Sequence, residues 1–327
     1  MTKAIRFHAI GGPEVLRLED VETGEPGPGE VRIRNAAIAV NYRDILVRRG
    51  THRVALPSGL GLESAGTIEA IGAQVSGLAI GERVACVAGP DGAYAQARRV
   101  PAARVVRLPE TIDARVAAAM MVRGMTARYL LHETFRVKAG DTILIHAAAG
   151  GVGLILCQWA KHLGATVIGT VGSPDKAAIA RAHGCDHPIV IGGDAPEDFV
   201  ARVRALTGGA GVPVVYDSIG KATFEDSLAC LARRGLLASF GEASGDPDPL
   251  APRRLGALGS VYLTHPSLPD YTATRADLLA SANHLFDMVA SRKIRIEISA
   301  EYALRDAARA HADMEQRRTT GSIVLIA

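Results

Sequence analysis

The segment His146-Ala147-Ala148-Ala149-Gly150-Gly151-Val152-Gly153 can hold a diphosphate with almost no side chains of its own. The strand-like run Thr142-Ile143-Leu144-Ile145 leads into it, and an apolar helix follows at once. A backbone that turns sharply from strand to helix brings its N–H groups against a pyrophosphate, and the helix N-terminus adds partial positive charge. Gly150 and Gly153 occupy the second and third positions of the dinucleotide fingerprint, with Ala148 in place of the first glycine. Glycines also serve ordinary turns; the flanking strand and helix favour the nucleotide.

Discrimination between the two nicotinamide dinucleotides depends on the next strand end. NAD-selective folds place an Asp or Glu about 20 residues beyond the glycines to bind the ribose hydroxyls. Here the chain reads Gly169-Thr170-Val171-Gly172-Ser173-Pro174-Asp175-Lys176, with no carboxylate ending the strand. Ser173 and Lys176 can bind a 2′-phosphate, which implies NADPH, although a lysine there can equally be a solvated helix residue. Asp175, at a helix start, can simply complement the dipole.

At the reacting end, Asn41 follows the apolar run 36–40, where a strand can present a side chain. An amide there can orient the nicotinamide carboxamide or a substrate oxygen. The alternative is a turn residue bonding its own backbone. Asp44 lies three residues on. Arg123 and Thr126 share one helical pattern, Arg123 suited to a diphosphate or ribose and Thr126 to the nicotinamide, with ordinary hydrogen bonding between domains as the alternative. His52, between Gly50 and Pro57, can donate a proton near neutral pH or can be an exposed loop histidine.

The elements that position these residues alternate. A helix over 154–163 stops at Gly164. Strands follow at 166–170, 188–191, 212–216 and 236–240, separated by helices at 176–183, 198–206 and 224–231. This is the pattern of a doubly wound parallel sheet. Before it, short strands at 31–33, 67–71 and 83–87 lie between turn clusters at 24–30 and Gly89-Pro90-Asp91-Gly92, and a helical pattern at 114–131 bridges onward. After a polar loop at 241–252 come a strand at 259–264, helices at 274–291 and 306–317, and a closing strand at 322–326. This last part has no alternation of its own and is expected to return to the N-terminal domain.

At 327 residues, two domains are the natural count. The net charge of +3, from 37 basic and 34 acidic residues that interleave, leaves no basic stripe for nucleic acid. No apolar run reaches membrane-spanning length and no export signal opens the chain, so a cytoplasmic protein without membrane insertion is expected. Cys86, Cys157, Cys185 and Cys230 lack the close pairs of a zinc site and are expected to be buried or half-buried thiols.

The chain resembles the medium-chain dehydrogenase/reductase superfamily, and within it the zinc-free quinone oxidoreductases. Phe7-His8-Ala9-Ile10-Gly11-Gly12-Pro13-Glu14, Pro57-Ser58-Gly59-Leu60-Gly61-Leu62-Glu63, HAAAGGVG with its continuation LILCQWAKHLGA, VVYDSIG at 214–220 and SFGEASG at 239–245 carry the likeness. It implies an α/β fold: a Rossmann doubly wound parallel sheet (123–264) inserted in a GroES-like β-barrel domain (1–122, resumed at 265–327). It also implies NADPH-dependent reduction of quinones or other electron-poor enones by a homodimer paired through the strand near 259–264. The cofactor contacts it implies are Asn41, Thr126, Ala149, Gly150, Gly151, Val152, Gly153, Ser173, Lys176, Ser218, Phe240, Gly241 and Arg317, the last with Arg318 beside it. Asn41, Asp44, His52 and Arg123 would serve the chemistry.

The departures matter too. Zinc members carry a ligating Cys where this chain has Asn41-Tyr42-Arg43-Asp44, and a His where it has Leu62, which cannot bind metal; no metal is expected. Relatives carry a tyrosine near 189–193, absent here, and tyrosines where Leu46 and His52 stand. Two alternatives remain: an enal or enoyl-thioester reductase, with His52 as discriminator, and a non-catalytic nucleotide-binding protein with an RNA-binding or structural role.

Overall fold

Strand β3 (Glu30–Val40) changes character midway along its length. Val31 and Ile33 alternate with polar neighbours, whereas Ala37, Ile38, Ala39 and Val40 are all fully buried. Each large aliphatic side chain among them contributes about 1.5–3 kcal/mol on burial. The buried half ends at Asn41, which opens helix α1 (Tyr42–Arg49). Gly50, at φ +85°, closes that helix in the left-handed conformation that glycine adopts without strain.

The computed structural model describes residues 1–87 and 92–327. The turn expected at Gly89-Pro90-Asp91-Gly92 lies, apart from Gly92, outside the described residues. Two units divide the chain. The first comprises Met1–Met125, Thr272–Ala290 and Ile296–Ala327, and the second Thr126–Tyr271 with Ser291–Arg295.

In the first unit, β1 (Thr2–Phe7) pairs antiparallel with β2 (Arg17–Val21) and with the two-residue β4 (Ser58–Gly59). Strand β3 pairs with β5 (Ser64–Ile71), which continues to β6 (Arg83–Cys86), and along its first half also with β7 (Ala97–Pro101). Strand β8 (Val105–Arg107) borders β6. Helix α2 (Ala114–Tyr129) follows.

The second unit is a six-stranded parallel sheet of β9 (Thr142–Ile145), β10 (Thr166–Val171), β11 (His187–Val190), β12 (Val212–Asp217), β13 (Leu231–Ser239) and β14 (Tyr262–Thr264). Its order is β11-β10-β9-β12-β13-β14. Helices α3 (Gly151–His162), α4 (Pro174–Ala182), α5 (Phe199–Leu206) and α6 (Phe224–Cys230) alternate with the strands. This is the Rossmann order, in which the winding reverses between β9 and β12 and a nucleotide binds at the strand C-termini. The chain then supplies α7 (Arg275–Ala290), β15 (Ile298–Ala303), α8 (Ala307–Glu315) and β16 (Ser322–Ile326). Strand β16 pairs with the buried half of β3, so the first unit's larger sheet is completed by the C-terminus.

Several elements depart from the sequence reading, and β1, β7, β8 and β15 are additions to it. Helix α1 has no counterpart in it. Strand β2 was hidden because its RLEDV sequence carries charge on an exposed edge. Strand β13 starts at Leu231 rather than 236, since Arg234, at φ +60°, breaks the apolar pattern where the register with β12 shifts. All four cysteines are free and buried. No described helix is long and apolar enough to cross a membrane.

Candidate active site

The candidate nucleotide-binding region lies on the second unit. Beyond β9, the His146 N–H donates to the Tyr216 carbonyl and the Ala148 N–H to the Thr170 carbonyl, each at 3.0 Å. The loop is thus zipped to both neighbouring strands before it turns. The turn residue is Ala147, at φ +51°, a conformation non-glycine residues seldom adopt. Gly153 has no space for a side chain: a Cβ there would lie 2.2 Å from the Ala147 oxygen. Ala148, at the fingerprint's first glycine position, is buried and accommodated because β10 has Gly169 beside it. A Cβ on Gly169 would come within 2.6 Å of the Ala148 methyl.

Helix α3 begins at Gly150 with no side-chain cap and no acidic residue in its first turn. Its positive end, the half-buried Gly151 and Val152 and the buried Ala149 therefore suit an anion, and a dinucleotide diphosphate fits this loop. Ser173 caps α4, its hydroxyl accepting from the Lys176 N–H at 3.3 Å. Lys176 itself is half-buried. In the 189–193 stretch, Gly192 abuts Gly172 so closely that a Cβ would sit 2.6 Å from the Gly172 oxygen. Ser218 and Gly241 meet at the ends of β12 and β13, where a Cβ on Gly241 would lie 2.9 Å from the Ser218 oxygen. Phe240 donates its N–H to the Asp217 carbonyl at 2.8 Å. Thr126 is buried, its hydroxyl engaged with the Tyr129 phenol.

The first unit gathers Asn41, Asp44 and Arg123 around a residue the sequence reading quoted but gave no role, Glu63. This carboxylate is fully buried. It accepts from Asn41 Nδ2 at 2.9 Å and from the Val122 N–H at 2.6 Å, and Arg123 Nη1 lies 3.5 Å away. Arg123 also donates to the Val40 carbonyl at 2.5 Å. Burial pushes the Glu63 carboxyl above the usual carboxylate range, against the opposing pull of Arg123 and the two N–H donors. Burial likewise lowers the Arg123 guanidinium, which Glu63 and Asp44 counteract. Asn41 and Asp44 form a reciprocal capping box at the start of α1, Asp44 Oδ2 accepting from the Asn41 N–H at 2.9 Å. Asn41 thus caps a helix, as the turn-residue alternative has it, and also donates one amide N–H to Glu63.

Behind Asp44 the polar chain continues. The Tyr94 hydroxyl donates to Asp44 Oδ2 and meets His311 Nε2, both at 3.0 Å. Arg48, fully buried, points Nη1 at His311 Nδ1 (3.3 Å) and Nη2 at Glu315 Oε1 (2.5 Å). Because Arg48 can only donate, His311 accepts at Nδ1 and carries its proton on Nε2. Burial first, and then Arg48, bring His311 down to about 3. Burial and Asp44 push the Tyr94 phenol well up.

His52 lies beyond the other end of α1 from Asn41. It follows α1, half-buried, its N–H donating to the Leu46 carbonyl at 3.3 Å. Eight helical residues, about 12 Å at 1.5 Å each, separate it from the Asn41 end. Arg317 lies just past α8 at φ +56°, while the neighbouring Arg318 pairs with Asp313 at 3.4 Å. Leu62 is half-buried, and no three His, Cys, Asp or Glu among the described residues group as metal ligands. The capping pattern Asn41-x-x-Asp44, followed by Gly50, was the signal available in the sequence for α1. Nothing local announced that Glu63 would bind Asn41, or that Tyr94 and His311 would meet behind Asp44.

Comparisons with known proteins agree with this geometry. Residues 27–110 match the alcohol dehydrogenase GroES-like domain and residues 151–280 the zinc-binding dehydrogenase family. A quinone oxidoreductase of Pseudomonas aeruginosa is 50% identical over the full length of both chains. A 2-haloacrylate reductase of a Burkholderia species is 45% identical, covering all of this chain and 99% of the relative. The structure of Escherichia coli quinone oxidoreductase complexed with NADPH superposes with a TM-score of 0.96 at 42% identity, covering 99% of this chain and 100% of that one.

Proposed function

The chain belongs to the quinone oxidoreductase family, and on that premise we propose that it reduces quinones and other electron-poor enones with hydride from NADPH, without zinc. The observation that carries this reading is the α3 N-terminus: an uncapped, acid-free helix start behind a loop in which Gly153 has no room for a Cβ. Ala149 to Gly153 would hold the diphosphate, with Ser218, Phe240 and Gly241 beside it at the strand ends. Ser173 and Lys176 would take the 2′-phosphate, and Arg317, with Arg318 beside it, would serve the cofactor as the family resemblance implies. Bound there, NADPH supplies the hydride.

Asn41, held by Glu63 through one N–H and by the capping box through its oxygen, keeps a second N–H and a second lone pair, and with these it would orient a carboxamide or a substrate oxygen. Asp44 and Arg123 act through the geometry of that cluster. Leu62 offers no metal ligand, and a quinone or conjugated alkene is electrophilic enough that positioning supplies much of the rate. The haloacrylate-reducing relative favours including activated alkenes among the acceptors. A panel of quinones, enals and enones, with NADPH oxidation followed at each, tests the proposal; an inert quinone series would overturn it.

We assign the oligomeric contact to a second copy of the chain. Strand β14 is a sheet edge with Tyr262 57% and Leu263 37% exposed, an apolar strip that a two-fold pairing would cover. Light scattering at micromolar concentration should give a dimer, and a monodisperse monomer would contradict the assignment.

A further inference from the structure

Below the nucleotide loop, four buried side chains form a line across three strand ends. Thr170 Oγ1 lies 2.8 Å from His146 Nδ1, and His146 Nε2 lies 2.9 Å from Ser227 Oγ. Ser227 donates to Asp217 Oδ2 at 2.9 Å. All four are nearly or fully inaccessible to solvent. Thr170 is on β10, His146 directly follows β9, Asp217 ends β12 and Ser227 is on α6.

The direction of every bond follows from one end. The Asp217 carboxylate can only accept, so the Ser227 hydroxyl gives it its proton and must itself accept from His146 Nε2–H. His146 Nδ1 is then bare, and the Thr170 hydroxyl donates to it. Burial keeps His146 neutral by lowering its pKa, against the pull of Asp217, which suits a ring that must donate at one nitrogen and accept at the other. A threonine, a histidine and a serine are each fixed in one proton arrangement by one carboxylate.

Each end of this line also holds a loop. Asp217 Oδ1 accepts from the Ile219 and Gly220 N–H groups at 2.7 and 3.1 Å, fixing the turn after β12. Thr170 and His146 are the residues through which the loop's backbone is tied to β10 and β12. We infer that His146, Ser227 and Asp217 are positioning residues for the dinucleotide: without touching it, they lock the glycine loop and the Ser218–Gly220 turn into one arrangement. This rests on the NADPH reading given above.

The test compares His146→Leu, which breaks the line, with His146→Gln, which can still donate from its amide nitrogen and accept at its oxygen. Thr170→Val is a milder break, close to threonine in shape. NADPH dissociation constants are measured by fluorescence well below each variant's melting temperature, and amide hydrogen exchange is measured on the cofactor-free proteins. His146→Leu is expected to weaken NADPH binding roughly tenfold, the scale of one buried polar group left unpartnered. It should also speed exchange both at 146–153 and at 218–220. His146→Gln should stay within about threefold of the parent in binding. If His146→Leu lowers the melting temperature but leaves affinity and exchange at both loops as in the parent, the line is ordinary core and the inference falls. It falls too if His146→Gln loses as much as His146→Leu. A parent protein that does not bind NADPH would instead overturn the functional reading, while the exchange comparison still decides whether the line couples the two loops.

Discussion

The two candidate regions, one on each unit, work by opposite means. On the second unit, the nucleotide loop relies on side chains that are missing: Gly153 and Gly169 leave space for backbone and methyl groups, and the α3 N-terminus is left uncapped. On the first unit, Asn41 is held by charges buried to an extent that would be costly if any partner were lost: Glu63, Arg123, Asp44 and Arg48. The first design tolerates loss of a polar contact but little added volume. The second tolerates neither a lost charge nor, at its far end, protonation.

The largest effect is expected where that contrast is sharpest. Glu63→Ala leaves the Arg123 guanidinium buried without its carboxylate and takes the acceptor from Val122 N–H and Asn41 Nδ2. Breaking such a pair by removing one partner costs about 3–5 kcal/mol. Urea unfolding should show that loss, and a change under about 1 kcal/mol, the scale of a surface pair, would mean the cluster is solvated.

The next expectation concerns acid. His311 is held near 3 in the folded chain against an ordinary 6.5. Between those values the unfolded chain binds a proton that the native chain does not. Its contribution to stability is therefore complete above about pH 6.5 and is lost as pH falls toward 3, by up to about 1.4 kcal/mol per pH unit. Unfolding free energies at pH 7 and pH 5 should differ less in His311→Gln than in the parent; identical slopes would place the pH sensitivity elsewhere.

On the nucleotide side, Lys176→Ala should weaken NADPH binding about tenfold or more, since one charge-assisted contact is worth about 1.5–3 kcal/mol. NADH binding should hardly change. Calorimetric titration of both cofactors checks this, and equal losses would remove Lys176 from the 2′-phosphate. The smallest effect belongs to His52. Standing at the far end of α1 from Asn41, it is expected to change turnover no more than a few-fold on replacement by Phe, for quinones and enones alike. A loss of an order of magnitude or more with enones alone, the scale of general acid catalysis, would make it the proton donor.

This same contrast explains what the sequence disclosed. The glycine loop was legible because its work is local: strand, turn and helix are contiguous, and the missing Cβ atoms are written in the sequence. The alternating strands of the second unit were legible for the same reason, their buried runs being short and apolar. The Asn41 cluster was legible only in part. Asn41, Asp44 and Arg123 were singled out, but Glu63, Tyr94 and His311 come from distant segments and reach Asn41 and Asp44 only when β3, β5 and α8 are assembled. His146 and Asp217 stood in quoted motifs, yet their pairing through Ser227 depends on where α6 lies on the sheet. Short-range pattern reports what a segment can do, and long-range pairing decides which of its polar residues are committed.

The central claim is that hydride passes from NADPH to a quinone in a site assembled without metal. It is tested most directly by single-turnover oxidation of NADPH deuterated at the transferred position, with benzoquinone as acceptor, on protein dialysed against a strong chelator. The account predicts a primary isotope effect and a rate unchanged by dialysis. Stoichiometric zinc that leaves together with the activity, or NADPH left unoxidised by the quinone, would contradict it.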